Sequence, residues 1–243
     1  MSLDRTLAIA TRIFHQIRRD HRSLALIIVA PLLVMALVGF SFTEQQPVLD
    51  RISPGMMCVF AFFFTFLLTG VSFLRERAQG TLERLLVTPV GRGDILVGYL
   101  LGFFLFAAIQ SALILLFTVW ALDINYQGNL WQVFAVLMVV TVVGVNLGIF
   151  ISVFARNEFQ VVQFIPIVLA PQIFLSGVVL PVDQLPGYFQ VASKVLPLTY
   201  AVGALRDMML HGQAFSDVLG DVGILAAFAV VFLVLAAVTV RRT

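Results

Sequence analysis

Of the 243 residues, 60% are hydrophobic and only 12% are charged, against roughly 25% charged in an ordinary soluble domain. A soluble fold cannot bury that much apolar surface, and a net charge of +2 supplies no basic face for a nucleic-acid partner. The one cysteine, Cys58, lies in an apolar run, which excludes an internal disulfide and any cysteine-built metal site; it reads as a small core side chain.

The first twenty residues carry several arginines without a short apolar stretch and small-residue cleavage site, so no removable signal peptide is expected. Over residues 1–22, Leu3, Leu7, Ala10, Phe14 and Ile17 fall at helical spacing, with Arg5, Arg12, Arg19 and Arg22 on another face. This predicts an amphipathic helix along the inner membrane surface. It serves either as a generic anchor on lipid phosphates or as an elbow that also touches a cytoplasmic partner.

Apolar runs follow at 24–42, 55–74, 95–121, 131–154, 160–180 and 220–240. Each reaches the roughly 18 to 20 residues that a helix needs to cross about 30 Å of hydrocarbon. Lipid offers backbone groups no hydrogen-bond partners, and the runs lack the alternation of a β-barrel, so the predicted fold is an all-α membrane bundle of six transmembrane helices. An even number of crossings puts both termini on one side. With the N-terminus inside, that side holds Arg5, Arg12, Arg18, Arg19, Arg22, Arg75, Arg77, Arg84, Arg92, Arg156, Arg241 and Arg242, and the other side only Arg51, Lys194 and Arg206. The asymmetry predicts cytoplasmic termini and a multi-pass protein of the plasma (inner) membrane.

Within the runs, Gly98 with Gly102 and Gly144 with Gly148 form GxxxG pairs that let backbones approach, in the bundle or between copies. Phe62, Phe66, Thr69 and Phe73 share a face of the second helix, which either meets lipid or lines a path for an apolar or amphipathic molecule. Pro166 and Pro171 should bend the fifth helix. Gln110, Asn146 and Gln172 are uncharged polar residues at membrane depth, explained by an interhelical hydrogen bond at least as well as by substrate contact.

The segment 75–94 is too polar to span. It reads Arg75, Glu76, Arg77, Ala78, Gln79, Gly80, Thr81, Leu82, Glu83, Arg84, Leu85, Leu86, Val87, Thr88, Pro89. Gly80 can break the preceding helix, Thr81 can cap a short new one, and Pro89 comes where it should stop. Leu82, Leu85 and Leu86 then form an apolar ridge that lies either on the bundle's own underside or in a groove of a separate protein, with Arg75, Glu76, Arg77, Glu83 and Arg84 as a polar rim. At the other end, residues 181–219 make a connection too long to lack structure of its own, which suggests short re-entrant helices among Pro181, Pro186, Pro197, Leu198, Tyr200 and Arg206.

Arg75 to Pro89 resembles the signature of ABC-2 family transporter permeases, in which arginine and glutamate precede a Gly-Thr-Leu-Glu core and a closing proline. The prolines after the fifth helix and the stretch Pro197-Leu198-Thr199-Tyr200 resemble that family's extracellular element, and the layout is similar to the daunorubicin-exporter type. The resemblance implies one transmembrane domain over 1–243, with 75–94 supplying a coupling helix to an ATP-binding subunit and 181–219 roofing the path as an extracellular gate. It also implies two permease copies, identical or paralogous, and two ATPase subunits that bind ATP and Mg, with no cofactor on this chain. In that family the second and fifth helices line the path, which adds Gln163, Ile167 and Phe174 to the second-helix face as pathway candidates.

The chain's one lysine, Lys194, follows Ser193 where a P-loop requires glycine, and neither H-E-x-x-H nor G-x-S-x-G occurs, so no catalytic residue is assigned. His15, His21 and His211 read as solvated or interfacial. Three functions stay in competition: an exporter permease moving a hydrophobic or amphipathic compound (drug or lipid-like) out of the cytoplasm, or alternatively a lipid-linked glycan or an ion; a secondary carrier or channel; and a membrane scaffold or enzyme. The absence of ionisable residues at mid-membrane weakens the second, because ion-coupled carriers usually need one.

Overall fold

A computed structural model describes residues 2–42, 44–87 and 90–240, apart from the side chains of Arg22, Ser23, Leu26, Leu82, Glu83, Leu86, Arg92 and Val240. Pro89, Arg241 and Arg242 lie outside the described residues. The chain runs through α1 (Leu3–Arg19), α2 (His21–Ser41), α3 (Gln46–Ala78), α4 (Thr81–Leu86), α5 (Arg92–Leu116), α6 (Leu130–Ser152), α7 (Glu158–Leu175), α8 (Gly187–Ser193), α9 (Pro197–His211) and α10 (Leu219–Val240). A π-helical turn, Phe117–Ala121, extends α5, and a 3-10 turn, Val182–Gln184, precedes α8.

Among the described residues, five helices are long and apolar enough to cross a membrane: α3, α5 with its extension, α6, α7 and α10. The apolar described stretch of α2, Ile27–Ser41, is shorter. At 33 residues, α3 is about 50 Å long, well beyond the 55–74 segment expected from apolarity alone. It continues because its polar ends are held by neighbouring chain rather than by hydrocarbon. At one end the Gln46 amide donates to the Asp123 carbonyl (3.0 Å), and at the other Arg75, Glu76 and Arg77 bond across to other helices.

Glycine decides the two tightest packings. A Cβ on Gly144 would stand 3.0 Å from the Phe62 carbonyl oxygen, and one on Gly148 would stand 2.8 Å from that of Phe66. That closeness brings α6 backbone to backbone with α3 over Phe62, Phe66 and Thr69, which are buried, while Phe73 is buried against Tyr99. The second pair, Gly98 and Gly102 on α5, receives Ile9 and Ile13 of α1. The expected apolar face of α1 is therefore divided. Ile17 is buried with Ile9 and Ile13, Phe14 stacks on Phe106 with ring centroids 5.0 Å apart, and Leu3 and Leu7 stay exposed. The helix is docked on α5 and not simply laid on lipid.

The polar residues inside the apolar segments close gaps between elements. Asn146 donates to the Ala229 carbonyl (2.9 Å) and ties α6 to α10, while Gln110 donates to the Phe60 carbonyl (3.4 Å) and ties α5 to α3. Gln172 accepts from the Leu198 amide (3.1 Å), so it satisfies a free donor in the first turn of α9. Pro166 and Pro171 stand within a continuous α7.

Candidate functional site

Where α3 ends, four helices meet. Gly80 has φ +66°, a left-handed conformation that glycine adopts freely, and it turns the chain out of α3 and into α4. The sequence puts the three charged residues just before that turn in a polar cytoplasmic loop, as the rim of a surface that meets either the bundle's own underside or a partner. They form the last turn of α3 and are engaged within the chain.

The Arg75 guanidinium donates twice to Glu158 at the start of α7 (2.6 and 3.0 Å) and reaches Asp20 at 3.4 Å. Arg77 donates to the carbonyls of Val153 and Ala155 (2.9 and 2.8 Å), which supplies donors to the C-terminal end of α6. Glu76 is 3% exposed, and its carboxylate accepts from Arg12 of α1 (2.6 Å) and from the Tyr99 hydroxyl of α5 (2.7 Å). Arg12 also donates to the Tyr99 oxygen (2.9 Å) and lies over its ring, 5.8 Å from the centroid.

Sequence reasoning missed this cluster, although one signal pointed to it. Glu76 continues the helical stripe of Phe62, Phe66, Thr69 and Phe73, so the period that buries the phenylalanines buries the carboxylate too. A buried carboxylate needs donors. Those donors come from α1 and α5, far away in sequence.

On α4, Arg84 folds back and donates to the carbonyls of Gln79 (2.9 Å) and Gly80 (3.3 Å). Leu85 packs against the interior cluster built from α1 and α5, so this member of the expected ridge faces its own bundle. The side chains of Leu82, Glu83 and Leu86 lie outside the description. Among the described residues, Arg84 on α4 and Val87 just after it are exposed, Val87 to 86%.

The expected pathway residues separate into two groups. Phe62, Phe66 and Thr69 are buried beneath α6, and Phe73 is buried against Tyr99 of α5. Gln163, Ile167 and Phe174 are exposed along α7. A groove of 240 Å³ runs between α2, α3 and α7, walled by Ile27, Leu67, Leu68, Val71, Ser72 and Val162, with Arg75 at its rim.

At the far end, Pro186 precedes α8 and Pro197 opens α9, positions where the missing N–H costs nothing. Pro181 leads into the 3-10 turn. The Tyr200 hydroxyl donates to the Lys194 carbonyl (2.8 Å), and Arg206 donates to the Gly177 carbonyl (2.6 Å). Leu198, Ala201, Leu205 and Met208 are buried, so α9 is a packed part of the bundle and not a loose cover.

A family model described as "ABC-2 type transporter" matches residues 4–210. Among curated proteins the chain is 33% identical over 164 residues to "ABC transporter G family member 20" of Dictyostelium discoideum, covering 68% of this chain and 22% of that protein. It is 32% identical over 160 residues to "Linearmycin resistance permease protein LnrN" of Bacillus subtilis (66% and 41%). It is 27% identical over 192 residues to "Probable multidrug ABC transporter permease YbhS" of Escherichia coli (79% and 51%). The chain thus spans between about a fifth and about half of the length of these relatives.

Proposed function

The chain belongs to the ABC-2 type transporter family, and on that premise we propose that it is the transmembrane permease subunit of an ATP-binding-cassette exporter, driven by ATPase subunits on other chains. In this reading the bundle crosses the membrane six times, with α2 as the sixth span and both termini cytoplasmic. The arginine excess at the α4 end supports that orientation. Two copies would pair with two ATPases, which hold the ATP and Mg.

One observation carries the proposal: α4 hangs from a helix end that is locked to four other parts of the bundle. Arg75, Glu76 and Arg77 join the last turn of α3 to α1, α5, the end of α6 and the start of α7. A push on α4 from a closing ATPase pair would therefore move the bundle as a unit and would not bend a loop. Movement of that kind is what alternating exposure of a path requires. These residues act by transmitting position, and the exposed end of α4 makes the contact.

The groove between α2, α3 and α7 supports a hydrophobic or amphipathic substrate, since its walls are mostly aliphatic. Two of the relatives carry names that refer to linearmycin resistance and to multidrug transport, which favours the same class.

Co-expression with an ATP-binding-cassette ATPase encoded beside the gene should give a stable complex that exports an amphipathic dye from vesicles on addition of ATP. Val87→Asp should weaken ATPase retention roughly tenfold, as expected for a charge placed in a desolvated contact. Because Val87 is exposed, that variant should insert and melt like the wild type. Transport by the chain alone down an ion gradient, or full coupling in Val87→Asp, would overturn the reading.

A further inference from the structure

The far end of the bundle holds a second feature, unrelated to coupling. Between the first turns of α3, the segment after α7 and the side of α9 lies a cleft of 390 Å³. Two arginines reach it, Arg51 from α3 and Arg206 from α9. Among the described residues neither is in an ion pair. Arg51 is exposed, and Arg206 uses one nitrogen on the Gly177 carbonyl while its Nε is buried with no partner. Burial and the nearby charge of Arg51 both make the charged form of Arg206 harder to hold.

Asp50 and Asp183 line the adjoining cleft with both arginines, but among the described residues no carboxylate forms an ion pair with either. Asp50 accepts from the backbone and side-chain nitrogens of Asn125 (2.9 and 3.0 Å). Asp207 is engaged by the His211 ring (3.0 Å). Asp207 and Asp183 ease the charge on Arg206 from a distance, without pairing with it. Two cations are thus held facing one cleft, an arrangement that an anion between them would relieve.

The depth of the cleft narrows the choice of anion. Asp50, next to Arg51, bonds Asn125 in the loop between Trp120 and Trp131, which are 74% and 79% exposed. Exposed tryptophans at helix ends belong at the membrane–water interface, where lipid phosphates lie. Beside the arginines the wall is aliphatic, with Val48, Val179 and Leu180 exposed to the surroundings. We propose that Arg51 and Arg206 form a binding site for a phosphate group, presented by an anionic phospholipid whose chains lie along Val48, Val179 and Leu180. Guanidinium groups suit this because they match phosphate oxygens in pairs.

The test uses the full chain in nanodiscs of phosphatidylcholine doped with phosphatidylglycerol, with retained lipid counted by native mass spectrometry. The wild type should hold phosphatidylglycerol roughly tenfold over its share of the bilayer, and Arg51→Gln should remove most of that enrichment. Arg51→Gln touches no partner in the fold, so it should melt normally; Arg206→Gln, which also frees the Gly177 carbonyl, serves as the second variant. Inorganic phosphate added to lipid-depleted protein separates the sources. Stabilisation by short-chain phosphatidylglycerol but not by phosphate identifies the lipid, and equal stabilisation identifies free phosphate at the same arginines. Equal retention of both lipids by the wild type, or unchanged enrichment in both variants, would overturn the site.

Discussion

Replacing Glu76 by alanine should be among the most damaging single changes in the protein, lowering stability by about 3 kcal/mol, the lower end of what breaking a buried ion pair costs. The lower end applies because Arg12 keeps 35% of its side chain exposed and regains some hydration, while Glu76 is 3% exposed and its two donors lose their acceptor together. Thermal unfolding of the purified chain should shift down by about 10 °C. Two companion variants separate causes. Tyr99→Phe leaves the charges paired and removes one hydrogen bond, so it should cost about 1 kcal/mol. Arg12→Met with Glu76→Leu removes both charges and should recover most of the loss, because an apolar replacement of a buried pair is often neutral. A Glu76→Ala protein that melts with the wild type would mean the cluster is not a structural tie. If the proposed exporter reading holds, Glu76→Ala reconstituted with a partner ATPase should also hydrolyse ATP with little transport, since α4 would move without carrying α1 and α5.

Gly148→Val should be worse still. Its first added carbon meets the Phe66 carbonyl oxygen at 2.8 Å, the Thr69 Cβ at 3.0 Å and the Gly70 nitrogen at 3.1 Å. Two of those three are backbone atoms, which no rotamer change can move aside. Relief requires α3 and α6 to separate, and that unpacks Phe62, Phe66 and Thr69. The cost should exceed the usual 1–3 kcal/mol of overpacking. The expected result is loss of monodisperse protein on size-exclusion chromatography at normal membrane insertion, since insertion depends on the hydropathy of each run. Gly223→Ala on α10, where nothing lies within 4 Å, is the control and should purify normally. Equal yields for the two variants would show that the α3–α6 contact does not hold the fold.

Much of the architecture was legible in apolar run lengths. The all-helical class and five of the apolar runs came through, and so did the break at Gly80, because a bundle in lipid must satisfy its backbone within each segment. The interior polar residues were legible only as a choice between packing and substrate contact. The fold resolves Gln110, Asn146 and Gln172 as bonds between elements.

The surroundings of the residues along this face of α3 are decided outside the segment itself. Helical period alone places Phe62, Phe66, Thr69, Phe73 and Glu76 on one face, and cannot say whether that face meets lipid, a path or another helix. Gly144 and Gly148 decide it, and they act through a distance between two backbones that no single segment encodes. The same holds for Arg75, Glu76 and Arg77. Their charges suggested water and a partner, whereas Glu158, Arg12, Tyr99 and two carbonyls of the α6–α7 turn were waiting within the chain.

What the sequence determined by itself is therefore a solvent and a plan: lipid for a medium, helices for segments, and arginines gathered at one end, all properties that add up residue by residue. The tertiary structure alone decided which faces are closed and which charges are paired. Those depend on contacts between residues scores of positions apart, where a glycine on one helix sets what a phenylalanine or a carboxylate on another can reach.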